Sequence, residues 1–303
     1  MNVVHFPEVI NQQTENKRLE LFSDESSLYF PTWELPAGAE GRKGWYKDDN
    51  AKYIARSDTQ GNPILLGHVG KNYKVLPMKE LCQQIERTFV EVMTDDQLRG
   101  VQRTDQSSYY GSMCIRNYIF PSITTDIESR TSHVAFRTIA VNGYDGSSSF
   151  KFYNGAIDFF CTNGMVSGIY DMMVKRHTAG LTIPKLDDKL RKSIDIFYTQ
   201  AEQWKKWVGK EITDDDAREC YEAMPRISER RVEQMMRQFH IECLTHGRTV
   251  WALYSAATYF ATHNEGEFSI RETNNDHSAA TLLHREQQVR SWLSTDTFER
   301  LAA

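Results

Sequence analysis

Apolar residues Met78, Leu81, Ile85 and Phe89 recur at helical spacing, just after short β-rich runs broken by Gly61-Asn62-Pro63 and Gly70-Lys71-Asn72. Together they predict a small β-β-α unit. "SYYGSMCIRNYIFPS" and "SHVAFRTIAV" then read as two long strands, rich in β-branched and aromatic residues. The segment "VNGYDGSSSFKFYNGAIDFFCTNG" adds a hairpin, cued by Asn142-Gly143 and Asp145-Gly146. Its second arm changes parity: Phe150 and Phe152 share one phase, Ile157, Phe159 and Cys161 the other. A β-bulge at Asn154-Gly155 would return all five to one buried face, and Asn163-Gly164 would close the strand at positive φ.

Beyond residue 183 the period becomes helical. Leu186, Leu190, Ile194, Phe197, Ala201, Trp204 and Val208 draw one continuous stripe. Thr213 and Ser228 stand as N-caps, the first followed by three aspartates that suit a helix N-terminus. The Ser228 helix buries Val232, Met235, Phe239 and Cys243. "TVWALYSAATYFAT" is apolar nearly all round and predicts a helix enclosed by its neighbours, and a last helix carries Leu282, Leu283, Val289 and Trp292. The first thirty residues are polar and poorly periodic, suggesting an arm or a peripheral strand. The sum is an α+β protein, with an antiparallel, bulged sheet in the N-terminal half packed against a helical C-terminal half. Its parts are an arm over 1–30, a β-rich half with one early helix over 31–180, and a helical half over 181–303 that packs on the sheet as one structural unit.

Composition narrows the function. The 303 residues are 40% hydrophobic and 25% charged, without a stretch of membrane-spanning length. The N-terminus lacks a basic start followed by an apolar run, so a cytoplasmic location is expected. Five scattered cysteines argue against a disulfide framework or a thiolate zinc site. A net charge of -5 means that nucleic-acid contact must come from a local patch.

No phosphate-cradling glycine loop, nucleophile elbow or zinc-binding His-Glu-x-x-His helix is present. His240, Cys243 and His246 are the nearest thing to a metal set. Their spacing fans them over about 120° of a helix, which favours a core cysteine with flanking histidines. Asp126, Glu128, Asp145 and Asp158 could surround a Mg²⁺ ion in a nuclease with Lys151 as helper, although turn aspartates more commonly cap backbone amides. No catalytic residue and no resident cofactor is assigned. A sheet where cations hold phosphates and aromatics stack on bases fits the residues better. Arg116, Arg137, Lys151 and Tyr153 alternate with apolar neighbours on one expected solvent face. Asn142, Tyr144 and Asp145 lie in the adjoining turn, and Lys175, Arg176 and His177 at an element end. The bland alternative is that these charges simply meet water.

The stretches "NGYDGSSSF", "FFCTNGMVSG", "KRH" and "GRTVWALYSAATYFATH" resemble, in order and spacing, the phage and plasmid family known as domain of unknown function 932. The resemblance runs from about residue 60 to the end, and its most specific parts are "CTNG" and "KRH". The chain departs from it at Asp158, where a basic residue is expected before the cysteine, which puts a basic site there in doubt; Lys151 is the candidate substitute. The resemblance implies a mobile-element setting near replication and recombination, and it supplies no activity. A β-rich half followed by helices also resembles single-strand annealing proteins in architecture. The expected function is therefore non-enzymatic binding or annealing of single-stranded nucleic acid by a homo-oligomer. A metal-dependent nuclease or hydrolase and a protein that binds a host partner are the alternatives.

Overall fold

The computed structural model describes residues 12–303 apart from 24, 129–131, 159–163, 166–172, 184 and 271–275. Phe159, Phe160, Cys161 and Asn163, and with them most of "CTNG", therefore lie outside the described residues. Two antiparallel sheets carry the first half. Strands β1 (Trp33–Gly41), β2 (Gly44–Ser57) and β3 (Pro63–Gly70) form the smaller, in that order. The larger is β4 (Gln102–Ser108), β5 (Met113–Glu128), β6 (Ser132–Gly143), β7 (Phe150–Asp158) and β8 (Gly164–Met165) in sequence order, with β9 (Met173–Lys175) also paired to β7. The β2–β3 turn falls at Gly61-Asn62-Pro63, as its residues predict. Strands β1 and β4 escape a pattern search because "WELPAGAEG" and "QRTDQSS" carry few β-branched residues.

The sheet is bulged, but not where the parity of β7 suggests. Register shifts occur on the β5–β6 ladder between Phe120 and Thr124, next to Pro121, which has no N–H to give the ladder. Strands β6 and β7 run in unbroken register from Val134↔Asp158 to Val141↔Lys151, so Asn154-Gly155 makes no bulge on that ladder. The reason is that both sides of β7 are covered. Phe150, Phe152 and Ala156 enter the main core, and Tyr153 enters a second cluster with Ile115, Ile139, Val141, Ala279 and Leu283. A strand buried on both sides has no need of one apolar parity.

Helix α1 (Gln12–Leu19) corrects the expectation of a loose arm or strand. It is followed by buried Phe22, and the buried Arg18 guanidinium donates to the carbonyls of Val90 (2.6 Å) and Met93. Those carbonyls lie at the end of α2 (Met78–Val92), whose Phe89 packs edge-on against Tyr118 and Phe120 of β5. A single turn, α3 (Asp95–Leu98), leads from α2 into β4. Helix α4 (Asp187–Val208) lays its stripe on the same sheet face, with Phe197 edge-on to Phe136 at 5.8 Å. Helices α5 (Asp214–Glu222) and α6 (Glu229–His246) begin at Thr213 and Ser228, whose side chains accept the N–H groups of Asp216 and Arg231. Helix α7 (Val250–Thr262) is buried on nearly every side, and α8 (Ser278–Leu293) and α9 (Asp296–Ala302) complete the helical half. One contiguous core runs from Leu66 and Val69 through the large sheet to Trp251 and Trp292.

Candidate nucleic-acid interface

Register divides the sheet's cations. Arg116 pairs with Ala140 and Arg137 with Ile119, so the two arginines leave opposite sides of the sheet. A shared solvent face of Arg116, Arg137, Lys151 and Tyr153 does not exist. Arg116 points toward α2 and is 1% exposed. Its guanidinium grips Asp105 through two bonds of 2.7 Å, donates to Tyr29 Oη, and lies 3.4 Å from Glu86. Tyr118 donates to the same Glu86 at 2.9 Å. The group is consumed internally, as burial of a charge requires.

The opposite side is different. Arg137, Lys151 and Tyr153 converge there beneath α8, joined by Arg290, whose guanidinium lies 4.9 Å from the Tyr153 ring centroid. Hydrogen bonds at Ser108 and Glu286 tie the helix to the sheet. Ser108 Oγ accepts the Ala280 N–H at 3.1 Å, and Glu286 accepts from Arg137 at 2.7 Å and from the Tyr153 hydroxyl at 3.2 Å. Between sheet and helix lies a half-open cleft of about 170 Å³, with Ile115, Ile139, Leu282 and Leu283 as walls, Asn117 and Gln106 at its polar side, and the Arg137–Glu286 pair in its floor. Arg137 is 6% exposed, and its Nε has no hydrogen-bond partner among the described residues. Burial disfavours its charge, and Glu286 outweighs burial, holding the guanidinium above its ordinary range. Lys151 is half-buried, and desolvation followed by repulsion from Arg290 lowers its ammonium pKa. Among the described residues, three cations thus surround Tyr153 with the one carboxylate of Glu286. Tyr153 itself is 3% exposed under Arg290, so it is a floor and not a stacking surface for bases.

The turn residues are a joint. Asn142 is fully buried and donates to the Leu76 carbonyl at 2.7 Å, and Tyr144, also fully buried, receives the Met78 N–H at 2.9 Å. Asp145 closes its own turn by accepting from the N–H groups of Ser147 and Ser148. Gly67 of β3 presses against this turn so closely that a Cβ there would stand 2.5 Å from the Tyr144 carbonyl oxygen. His177 is buried, stacked at 4.9 Å on Tyr73, whose hydroxyl donates to the Gly143 carbonyl. "KRH" and the hairpin turn therefore meet through Tyr73. Lys175 and Arg176 are exposed, but Lys175 pairs with Phe150 and so leaves the sheet edge on the side away from Lys151. Sequence reasoning missed Arg290 and Glu286, because an isolated Arg and Glu on a helix give no signal until α8 docks.

Metal readings find little geometry. Asp145 precedes β7 and Asp158 ends it, so the strand alone separates their backbones by roughly 25 Å at about 3.3 Å per residue, and the Asp158 side chain is outside the described residues. Asp126 is held by His133 at 2.6 Å. His240 sits 3.3 Å from Asp214 on the surface, while His246 is buried 3.7 Å from Glu242. Among the described residues no group of three or more His, Cys, Asp or Glu side chains is placed to hold a metal ion, and no helix is long and apolar enough to cross a membrane.

No curated protein and no solved structure matches the chain significantly. The profile of one family, Domain of unknown function (DUF932), matches residues 65–288, which include the turn, the six-stranded sheet, the "KRH" segment and α4 through most of α8. A match over that much of the chain makes the protein a member of the DUF932 family.

Proposed function

We propose that the protein is a non-enzymatic binder of single-stranded nucleic acid, serving the DNA metabolism of a phage or related mobile element as a homo-oligomer. The observation that carries this reading is the gathering of Arg137, Lys151 and Arg290 about Tyr153, beside a cleft that Arg137 and Tyr153 line and that holds, among the described residues, the single carboxylate of Glu286. Phosphates would lie against Lys151 and Arg290 at the rim, and an unpaired base would enter between Ile139, Leu283 and Asn117. Arg137 would act from beneath, by holding Glu286, which also accepts from the Tyr153 hydroxyl.

The test is fluorescence anisotropy with labelled single-stranded and duplex DNA across salt concentrations. Strand-selective binding that weakens with salt is expected, and Lys151→Ala with Arg290→Ala should flatten the salt slope by about 2, one per lost phosphate contact. Unchanged binding by that folded double variant would remove the site. Degradation of the probe on adding Mg²⁺ would replace the reading with a metal-dependent hydrolase. Failure to bind at low salt would replace it with a host-protein partner, for which Ile241 and Leu244 on α6, 57% and 87% exposed, offer an apolar contact.

A further inference from the structure

The β1–β2 hairpin precedes the family-matched residues and carries Trp45 and Tyr46, 55% and 56% exposed. Exposed aromatic rings ordinarily swing between rotamers, whereas these two are seated. Trp45 pairs with Glu40 and Tyr46 with Ala39, which places their rings over the diagonal residues Gly38 and Gly41. A Cβ at Gly38 would stand 2.6 Å from the indole Cζ2, and one at Gly41 would stand 2.6 Å from the Tyr46 Cε2. Each ring therefore lies flat on glycine backbone with its outer side in water, and alternation puts the two on opposite sides of the hairpin.

The charges around the rings fit one class of partner. Residues 40–49, "EGRKGWYKDD", set Arg42, Lys43 and Lys47 beside Glu40, Asp48 and Asp49, and the two cations of the turn between β1 and β2, Arg42 and Lys43, stand at the hairpin's tip. Lys47 is paired with Asp49 at 2.8 Å, and Arg42 and Lys43 have no ion pair among the described residues. A polyanion that carries flat apolar groups satisfies both features.

We infer that the tip of this hairpin is a second contact for single-stranded nucleic acid, separate from the cleft under α8. Trp45 and Tyr46 stack on unpaired bases, and Arg42 and Lys43 hold the flanking phosphates. The inference shares its ligand class with the proposed function and rests on that reading for it alone. Its test uses oligothymidylate and an abasic strand of equal length, read by intrinsic fluorescence and by anisotropy. Trp45 is the one strongly exposed tryptophan, so oligothymidylate should quench emission in the wild type and not in Trp45→Phe, while the abasic strand should quench little. Trp45→Ala with Tyr46→Ala should weaken binding at least about tenfold, the loss of two stacking platforms. Wild-type affinity in that variant, with Lys151→Ala/Arg290→Ala impaired, overturns the hairpin site and leaves the cleft. The reverse pattern supports the hairpin and removes the cleft. Equal quenching by the abasic strand, or self-association that Trp45→Ala abolishes, overturns base stacking.

Discussion

The hydroxyl of Tyr144 accepts the backbone N–H of Met78 at 2.9 Å, so a hairpin turn caps the first turn of α2. Pro77, the local N-cap residue, offers no side-chain acceptor. Tyr144→Phe keeps the buried ring and removes the hydroxyl, which the Asn142 side chain also meets. A loss of about 1–2 kcal/mol is expected, the range for a lost cap that leaves a buried donor unsatisfied. Urea unfolding measures it, and an unmoved midpoint would show that the bond contributes nothing.

Arg116 should behave as scaffold. Asp105→Ala removes the two-bond partner of a buried guanidinium and leaves Glu86 at 3.4 Å as its remaining ionic contact. The expected cost is about 3–5 kcal/mol, that of breaking a buried pair from one side. Replacing both partners with apolar residues should cost less than Asp105→Ala alone. Denaturation of the three variants beside Lys151→Ala separates scaffold from interface, because the half-exposed lysine should change stability little. Equal midpoints for Asp105→Ala and Lys151→Ala would contradict this division.

Much of this fold was legible because the core-facing helices repeat their apolar residues at a period no other element shares; the stripe from Leu190 to Trp204 is buried throughout. The caps at Thr213 and Ser228 were equally readable, since a capping side chain acts within three residues of itself. The division of sheet residues between two sides was not. Alternation tells that Arg116 and Arg137 have a side, but only the ladder pairing Arg116 with Ala140 shows that the sides differ. Parity also misled at β7, where α8 covers the side that a half-solvated sheet would give to water. The cleft shares that limit: Glu286 and Arg290 acquire meaning 133 to 149 residues from their strand partners Tyr153 and Arg137, a separation that local pattern does not reach.

Gly67 should tolerate no side chain. A Cβ at this position of β3 would press on backbone atoms of Tyr144 and Asp145, which cannot rotate away as a side chain does. Gly67→Ala is expected to cost about 1–3 kcal/mol, the usual penalty of forcing atoms into a packed contact. Gly61, in the β2–β3 turn, is the useful comparison: φ is +89° there with open space around it, so Ala meets backbone strain alone, about 1–2 kcal/mol. Thermal unfolding of the two variants reads the difference, and combining Gly67→Ala with Tyr144→Phe should give a non-additive loss because both act on one joint.

His177 gives the same joint a pH dependence of definite sign. Burial holds the imidazole below its ordinary pKa, against the smaller upward pulls of the Lys74 carbonyl and Asp145. The Tyr73 ring covers it at 4.9 Å, and Nε2 has no partner among the described residues to share a proton with. The unfolded chain takes up that proton near the ordinary value of about 6.5, and the folded chain only at lower pH. The stability contributed by neutral His177 is therefore whole above about pH 6.5 and is lost as pH falls from there through the lower folded value. His263 carries a shift of the same direction and carboxylates titrate further down, so the measurement is a difference. Urea midpoints of wild type and His177→Asn are compared at about pH 7.5 and about pH 5.5, either side of the ordinary value. The wild type should lose more stability across that interval than the variant; parallel losses would mean that the buried imidazole is protonated in the folded protein as readily as in the unfolded chain.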